Sequence, residues 1–395
     1  MFWLDEQNEI LKKIDSTWNL IRETVIQKAE LSTLKQKRQL SNWFTHLSHI
    51  YDELKIQQNW DPNSSLRKKI MKFLWRYSIL KPQYPGFSPI WTGKNPVWPV
   101  SSSVPFTTLF GFDLHVSGRD FWSVTATGHY KQELSESLLI LRLLPRVEAF
   151  IDVGANVGFY SLLAAKVCDH PISVLAFEPE AENFGKLQQA IQANDLDQKI
   201  HPFPMAIGSS SQKMKLYHSA MGSGGNSVAP PEGSPMSEES EIVESTTLDE
   251  VQKKHLPRCP PTLIKIDVEC FEYEVLRGAS NWLAAQQAPT ILIEMATKSA
   301  HSNKNHVLVI KKLKSFGYRV YPVLQPMNGK SPLGKECSPF NYKSPTWNFL
   351  AIPPCAFSLT ETLQAPIDIR VFTRNEHLQA LLAFLKNSLN SLENE

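Results

Sequence analysis

The sequence predicts an α/β fold on a mostly parallel sheet of seven strands, with a helical N-terminal extension. Two observations predict it. Apolar runs at 148–153, 172–177, 201–207, 262–266 and 290–293 alternate with helix-like runs at about 158–167, 181–193, 270–277 and 305–316, and late runs at Tyr318–Leu324 and Trp347–Ile352 complete the set. Such alternation builds βαβ units. The run Phe150-Ile151-Asp152-Val153 also turns on Gly154 and Gly158 into a stretch with Tyr160, Leu163 and Ala164 at helical spacing. A buried strand, a glycine-bearing turn and a helix N-terminus together make a nucleotide-type ligand site.

Residues 5–57 contain no Gly or Pro, and Leu11, Ile14, Trp18, Ile21 and Val25 recur at helical spacing, as do Leu40, Phe44, Leu47, Tyr51 and Leu54. The first stripe loses phase at Lys28, Ser32 and Lys35, which fits two helices packed as a hairpin, with homodimerisation as the second reading. A basic amphipathic helix follows over about 64–80, and its solvated face outweighs a membrane-surface reading. Residues 81–106, rich in Pro with Tyr84, Trp91 and Trp98, read as an extended connecting segment. Thr108–Val116 reads as a strand and Glu133–Leu144 as a helix stopped by Pro145. Gly222, Gly224, Gly225, Pro230, Pro231, Gly233 and Pro235 mark a long loop across Leu216–Ala229 and beyond, a candidate lid. A helix with Leu378, Leu381, Leu382 and Leu385 lies in a C-terminal extension, 356–395, after a domain spanning 107–355.

The 395 residues carry a formal net charge of +2, which gives no footprint for nucleic acid. No apolar run is long enough for a membrane span, and Met1–Glu6 lacks a basic leader. Five scattered cysteines with no Cys-x-x-Cys pair read as free thiols of a reducing compartment, the cytoplasm; Cys168 and Cys270 are expected on helices.

Four strand ends carry an acid: Asp152, Glu178, Asp267 and Glu294. Unpaired acids are costly in a core, so their convergence outside the carboxyl ends of the strands reads as the lining of a ligand site. Glu178 lies where an acid accepts bonds from ribose hydroxyls. A dinucleotide turn wants Gly-x-Gly-x-x-Gly, but Asn156 stands at the middle glycine, and Asp152 at the mouth of the turn repels a diphosphate. S-adenosylmethionine has no phosphate and carries an ammonium and a sulfonium, so Asp152 suits it better than it suits NAD.

The stretch 150–161, Phe-Ile-Asp-Val-Gly-Ala-Asn-Val-Gly-Phe-Tyr-Ser, resembles the first motif of the FkbM-type methyltransferases. Ala176–Phe184 resembles their second motif, and Thr247-Leu248-Asp249, Leu263–Glu269, Glu274–Ala279 and Ile291–Glu294 resemble the later ones. The resemblance covers roughly 130–352 and implies a class I Rossmann-like fold, S-adenosylmethionine as donor, and a hydroxyl acceptor on a saccharide or secondary metabolite. It implies donor contacts from Asp152, Gly154, Ala155, Asn156, Gly158, Tyr160, Ser161, Glu178, Pro179, Asn183, Ala206 and Asp267. Cys270 departs from the family's small residue after Asp-Val-Glu. Asp267, Glu269 and Glu294 are the candidate catalytic residues, with Asp267 or Glu269 as base or orienting group. Mg²⁺ on Asp267 and Glu294 lacks an evident third ligand, so no metal is expected. Tyr130 is a weak substrate-side candidate, and His115, His201, His301 and His306 read as structural. An NAD-dependent oxidoreductase and a non-catalytic scaffold are the rival readings.

Overall fold

The computed structural model describes residues 134–219, 223–230, 233–234, 236–295, 300–324, 331–337 and 346–365, with Ser16, 90–92, 95–97, 104–107 and 112–116. The expected N-terminal helices (Ser16, which is helical, apart), Tyr130, His301's side chain and the helix at Leu378–Leu385 lie outside these residues. The chain divides into two compact units, one of Met1–Val100, Thr107–Phe112 and Asp368–Glu395, the other of Ser101–Phe106 and Asp113–Ile367. In the first, β1 (Ile90–Thr92) pairs antiparallel with β2 (Asn95–Val97), so the segment read as extended contains a short hairpin. Of the strand expected at Thr108–Val116, the described residues include β4 (Asp113–Val116), which forms a two-stranded sheet with β3 (Val104–Thr107).

The second unit holds the main sheet. Its strands begin after α1 (Leu134–Leu143) with β5 (Ala149–Val153), which leads through the glycine turn to α2 (Phe159–Val167). There follow β6 (Ser173–Phe177), α3 (Ala181–Ala193) and β7 (Ile200–Phe203). An excursion through β8 (Ala206–Ile207), β9 (Lys213–Ser219) and β10 (Met236–Thr246) ends in α4 (Leu248–His255). The chain returns by β11 (Thr262–Ile266), α5 (Glu272–Arg277), α6 (Ser280–Leu283), β12 (Thr290–Glu294), α7 (Ala300–Ser315), β13 (Arg319–Pro322) and β14 (Asn348–Ile352). The short α8 (Thr360–Gln364) closes the described region.

The seven strands lie in the order β7-β6-β5-β11-β12-β14-β13. The first five run parallel, and β14 runs antiparallel between β12 and β13. Strand order reverses direction between β5 and β11, which opens a crevice at their carboxyl ends. All five positions of β5, β11 and β14 are buried, as a sheet covered on both faces requires. Ile151, Val153, Ile264, Ile266, Ile291 and Ile293 pack with Leu248, Trp282 and Val309 in one core. Each such aliphatic side chain contributes roughly 1.5–3 kcal/mol.

Three expectations are corrected. The run 201–207 splits after Phe203: Pro202 is tolerated because β7 is an edge strand, and beyond Pro204 β8 joins β10 in a second sheet. The expected loop at Leu216–Ala229 begins as strand, because β9 pairs antiparallel with β10 through Leu216↔Glu241 and Met214↔Val243. Leu216, Val243 and Ala206 supply that small sheet's own core. The helix expected at 270–277 starts at Glu272, so Cys270 precedes it, while Cys168 directly follows α2. All five cysteines are free. The residue that follows α5, Gly278, is glycine for a steric reason: a Cβ there would sit 2.0 Å from the carbonyl oxygen of Gly208.

Candidate active site

The site is assembled at the reversal of strand order. Gly154 (φ 82°), Asn156 (φ 51°) and Gly158 (φ 96°) are all left-handed, which folds the turn tightly between β5 and α2. Every amide of that turn already has an acceptor. Gly154 and Ala155 donate to the Phe177 carbonyl at 3.0 and 2.9 Å, and Gly158 donates to the Ala155 carbonyl at 2.8 Å. Asn156 donates its amide to Glu178 Oε2 at 2.8 Å, and Val157 donates to Asn156 Oδ1 at 2.8 Å. No amide from Gly154 to Gly158 remains to cradle a phosphate.

Glu178 directly follows β6 and is buried. Its Oε2 accepts from Asn156 and its Oε1 accepts from the amide of Glu180 at 3.0 Å. Each oxygen keeps a lone pair for a further donor. Burial pushes this carboxyl up to about 8, outweighing the amides and the Asn183 side chain that pull it down. Asn183 is itself buried with its Oδ1 lacking a hydrogen-bond partner among the described residues, and Pro179 is half-buried between the two acids.

Asp152 lies below the turn rather than at its mouth, at 1% exposure inside β5. Its Oδ2 accepts from Ser161 Oγ at 2.7 Å, while Oδ1 has no hydrogen-bond partner among the described residues. Burial raises its carboxyl, and the nearby Lys265 ammonium is the largest opposing influence. Asp152 pairs with Lys265 across β5 and β11. Lys265 is 4% exposed, donates to Asp267 Oδ2 at 2.8 Å, and lies 4.7 Å over the ring of Tyr160. Strand register therefore brings Asp152, Ser161, Tyr160, Lys265 and Asp267 together.

Asp267 is 27% exposed, and its amide donates to the Val153 carbonyl at 3.0 Å, which fixes the β11 end against the glycine turn. The next acid, Glu269, sits with Cys270 in a left-handed pair (φ 50° and 77°) that no glycine relieves. Such backbone costs of order 1–3 kcal/mol per residue and collects at functional sites. The turn is held from two sides: Ser227 Oγ donates to the Glu269 carbonyl at 2.7 Å, and the Cys270 amide donates to Glu272 Oε1 at 2.9 Å. Burial, then Asp267 and Glu272, pushes the Glu269 carboxyl well above the usual range. Glu294 ends β12 one step beyond the Ile266↔Ile293 pair, on the Asp267 side of the crevice. Ala206 is not drawn into this group by any hydrogen bond described above; it packs in the small sheet with Leu216 and Val243. Lys265, Ser227 and Glu272 were absent from the sequence reading; a lysine inside Leu263-Ile264-Lys265-Ile266 was the available signal.

The acceptor-rich lining fits a ligand bearing ribose hydroxyls and an ammonium: Glu178 has spare lone pairs and Asp152 an unpartnered oxygen. Stability should report the Glu178 proton. Folded Glu178 titrates at about 8 against 4.5 ordinarily, so its contribution is complete below about pH 4.5 and is lost as pH rises toward 8. Glu178→Gln is expected to flatten the fall of urea stability between about pH 5 and 8, by at most about 1.4 kcal/mol per pH unit. An unchanged slope would place the proton elsewhere.

Strand order and acid-tipped crevice define a class I Rossmann-like methyltransferase fold. The family model described as methyltransferase FkbM domain matches residues 152–320, and the fold is that of an FkbM-like S-adenosylmethionine-dependent methyltransferase. Over 158 residues the chain is 27% identical to the hexuronic acid methyltransferase AglP of Haloferax volcanii, covering 40% of this chain and 59% of that protein. It is 25% identical over 174 residues to the methyltransferase sdnD of Sordaria araneosa, covering 38% of this chain and 67% of that one. The chain thus spans about three fifths of the AglP length. Among solved structures, the methyltransferase FkbM of Methylobacillus flagellatus aligns at TM-score 0.33 and 15% identity, over 52% of this chain and 43% of that one.

Proposed function

We propose that this protein transfers a methyl group from S-adenosylmethionine to a hydroxyl of a saccharide or related metabolite, with residues 107–355 as the catalytic domain. The observation that carries the reading is the glycine turn whose five amides are all engaged, one of them by the Glu178 carboxylate. A pyrophosphate would have to displace that carboxylate, which argues against NAD. The saccharide acceptor is supported by the Haloferax volcanii relative, a hexuronic acid methyltransferase. Among the described residues no helix is long and apolar enough to cross a membrane.

The donor, when bound, supplies a methyl already activated on a sulfonium. The residues of this chain then have two tasks, alignment and proton removal. Glu178 accepts ribose hydroxyls with its free lone pairs, and Asp152 contributes negative charge beneath the turn. Asp267, bonded by Lys265, orients the acceptor hydroxyl, with Glu294 on the neighbouring strand end. Glu269 takes the hydroxyl proton, because a carboxyl raised by burial and neighbouring acids is the better proton acceptor.

Calorimetry is expected to detect S-adenosylhomocysteine binding and no NADH binding; the reverse result would favour the oxidoreductase. Labelled methyl transfer into a cell extract then identifies the acceptor. In that assay Glu269→Gln is expected to lower kcat by about 10²–10⁴-fold with S-adenosylhomocysteine affinity retained. Full activity in both Glu269→Gln and Asp267→Asn would remove these residues from the chemistry.

A further inference from the structure

Outside the crevice, three potential metal ligands from three separate elements meet. Glu180 caps α3, His218 lies on β9 and Glu241 on β10. Offering one donor atom each, they lie within 4.8 Å of one another. His218 Nδ1 is 3.7 Å from Glu180 Oε1, and His218 Nε2 is 3.4 Å from Glu241 Oε1. Both distances exceed those of good hydrogen bonds. They run to opposite nitrogens of one ring, and a cation takes only one of them; with one donor from each residue the set spans no more than 4.8 Å, which side-chain rotation closes to the roughly 3.3–3.6 Å between ligands of a tetrahedral Zn²⁺.

The charge balance points the same way. Glu180 is 5% exposed, and its Oε2 is committed to the Asn183 amide at 2.8 Å, which leaves Oε1 toward His218. Burial pushes its carboxyl up, with Glu182 adding to the rise and His218 and Lys186 opposing it. Lys186, one turn along α3, places its ammonium 2.8 Å from Glu182. Two carboxylates therefore face one imidazole in a half-buried position, an arrangement a divalent cation neutralises. One imidazole with two carboxylates is a borderline donor set that suits Zn²⁺ better than Mg²⁺ or Ca²⁺.

We propose that Glu180, His218 and Glu241 form a Zn²⁺-type site that ties the β9–β10 hairpin to the N-terminus of α3, two residues from Glu178. The site is independent of the methyl-transfer reading, and its test uses no methyl-transfer readout. Metal-stripped full-length protein titrated with ZnCl₂ in a calorimeter is expected to take up one more equivalent than His218→Ala, and to gain thermal stability that the variant does not. Glu241→Gln, at a partly exposed position, keeps the fold and is expected to weaken uptake by at least about tenfold, since losing even an outer-sphere partner costs that much. Circular dichroism of both variants checks that they fold. Co²⁺ in place of Zn²⁺ should give visible ligand-field bands in the wild type that both variants lose. Uptake that is absent in the wild type, or equal in wild type and both variants, overturns the proposal and leaves a carboxylate–imidazolium–carboxylate clamp.

Discussion

Gly154→Ala is expected to cost about 2–5 kcal/mol and to abolish binding of S-adenosylhomocysteine. Two penalties add. The φ of 82° is left-handed, which costs a residue with a Cβ roughly 1–2 kcal/mol. The new Cβ would also stand 1.9 Å from the carbonyl oxygen of Asp267 and 3.0 Å from its carbon. That neighbour is backbone, held by the bond from the Asp267 amide to the Val153 carbonyl at 3.0 Å, so it cannot turn aside as a side chain would. Overpacking of this kind costs typically 1–3 kcal/mol. The crevice between the two strand ends must widen by more than an ångström, which moves Asp267 relative to the turn. Gly158→Ala is the informative comparison. Its Cβ would approach Leu187 Cδ1 at 2.5 Å and Leu162 Cδ1 at 2.9 Å, ends of side chains that can rotate. Urea denaturation and calorimetry on both variants should therefore find the larger loss at Gly154. Equal losses would show that backbone strain alone matters and that the approach to Asp267 does not.

This close approach explains what the sequence made legible. A glycine between an apolar strand and a helical stretch signals a tight turn, and the acids after Phe177 and Ile266 stand at positions fixed by strand length. Those are local features, so the alternation of strands and helices and the turn after β5 are legible from the residues alone. Asp152 is legible as a member of its strand, but its full burial and its bond to Ser161 are not. In a strand buried on both faces, alternation does not tell which side chain meets a ligand, and Asp152 proved to lie beneath the turn with Ser161.

Other features had no local signature. Left-handed geometry at Glu269 and Cys270 is imposed by Ser227 from the hairpin and Glu272 from α5, and non-glycine residues do not announce it. The hairpin itself was hidden by the glycines and prolines that follow Ser219. Its evidence was the alternation of Met214 and Leu216 against Lys213 and Lys215, too short a run to outweigh a loop-rich composition. Lys265 was visible as a charge in an apolar strand, but only register reveals that it serves two acids from different strands.

Lys265 carries the second large expectation. Lys265→Met is predicted to cost about 3–5 kcal/mol, the range for removing one member of a buried ion pair. The ammonium lies within 2.8 Å of Asp267, and it is the main charge opposing the effect of burial on Asp152, while Glu269 feels it too. Without it Asp152 keeps only the Ser161 bond, and Asp152 and Glu269 hold protons to still higher pH in the folded state than in the unfolded chain. The sign follows: the folded protein then binds more protons, so its stability falls more steeply as pH rises. The defect should be smallest near pH 5 and grow toward pH 8 in urea denaturation. Replacing both partners, Lys265→Met with Asp267→Asn, removes the unpaired carboxylate and should recover part of the stability. On the function proposed above, in which Asp267 orients the acceptor, it should recover none of the methyl transfer. A double-mutant cycle separates these effects. A coupling energy near zero, with a pH-independent defect, would mean that Lys265 supports the site through packing on Tyr160 and not through its charge.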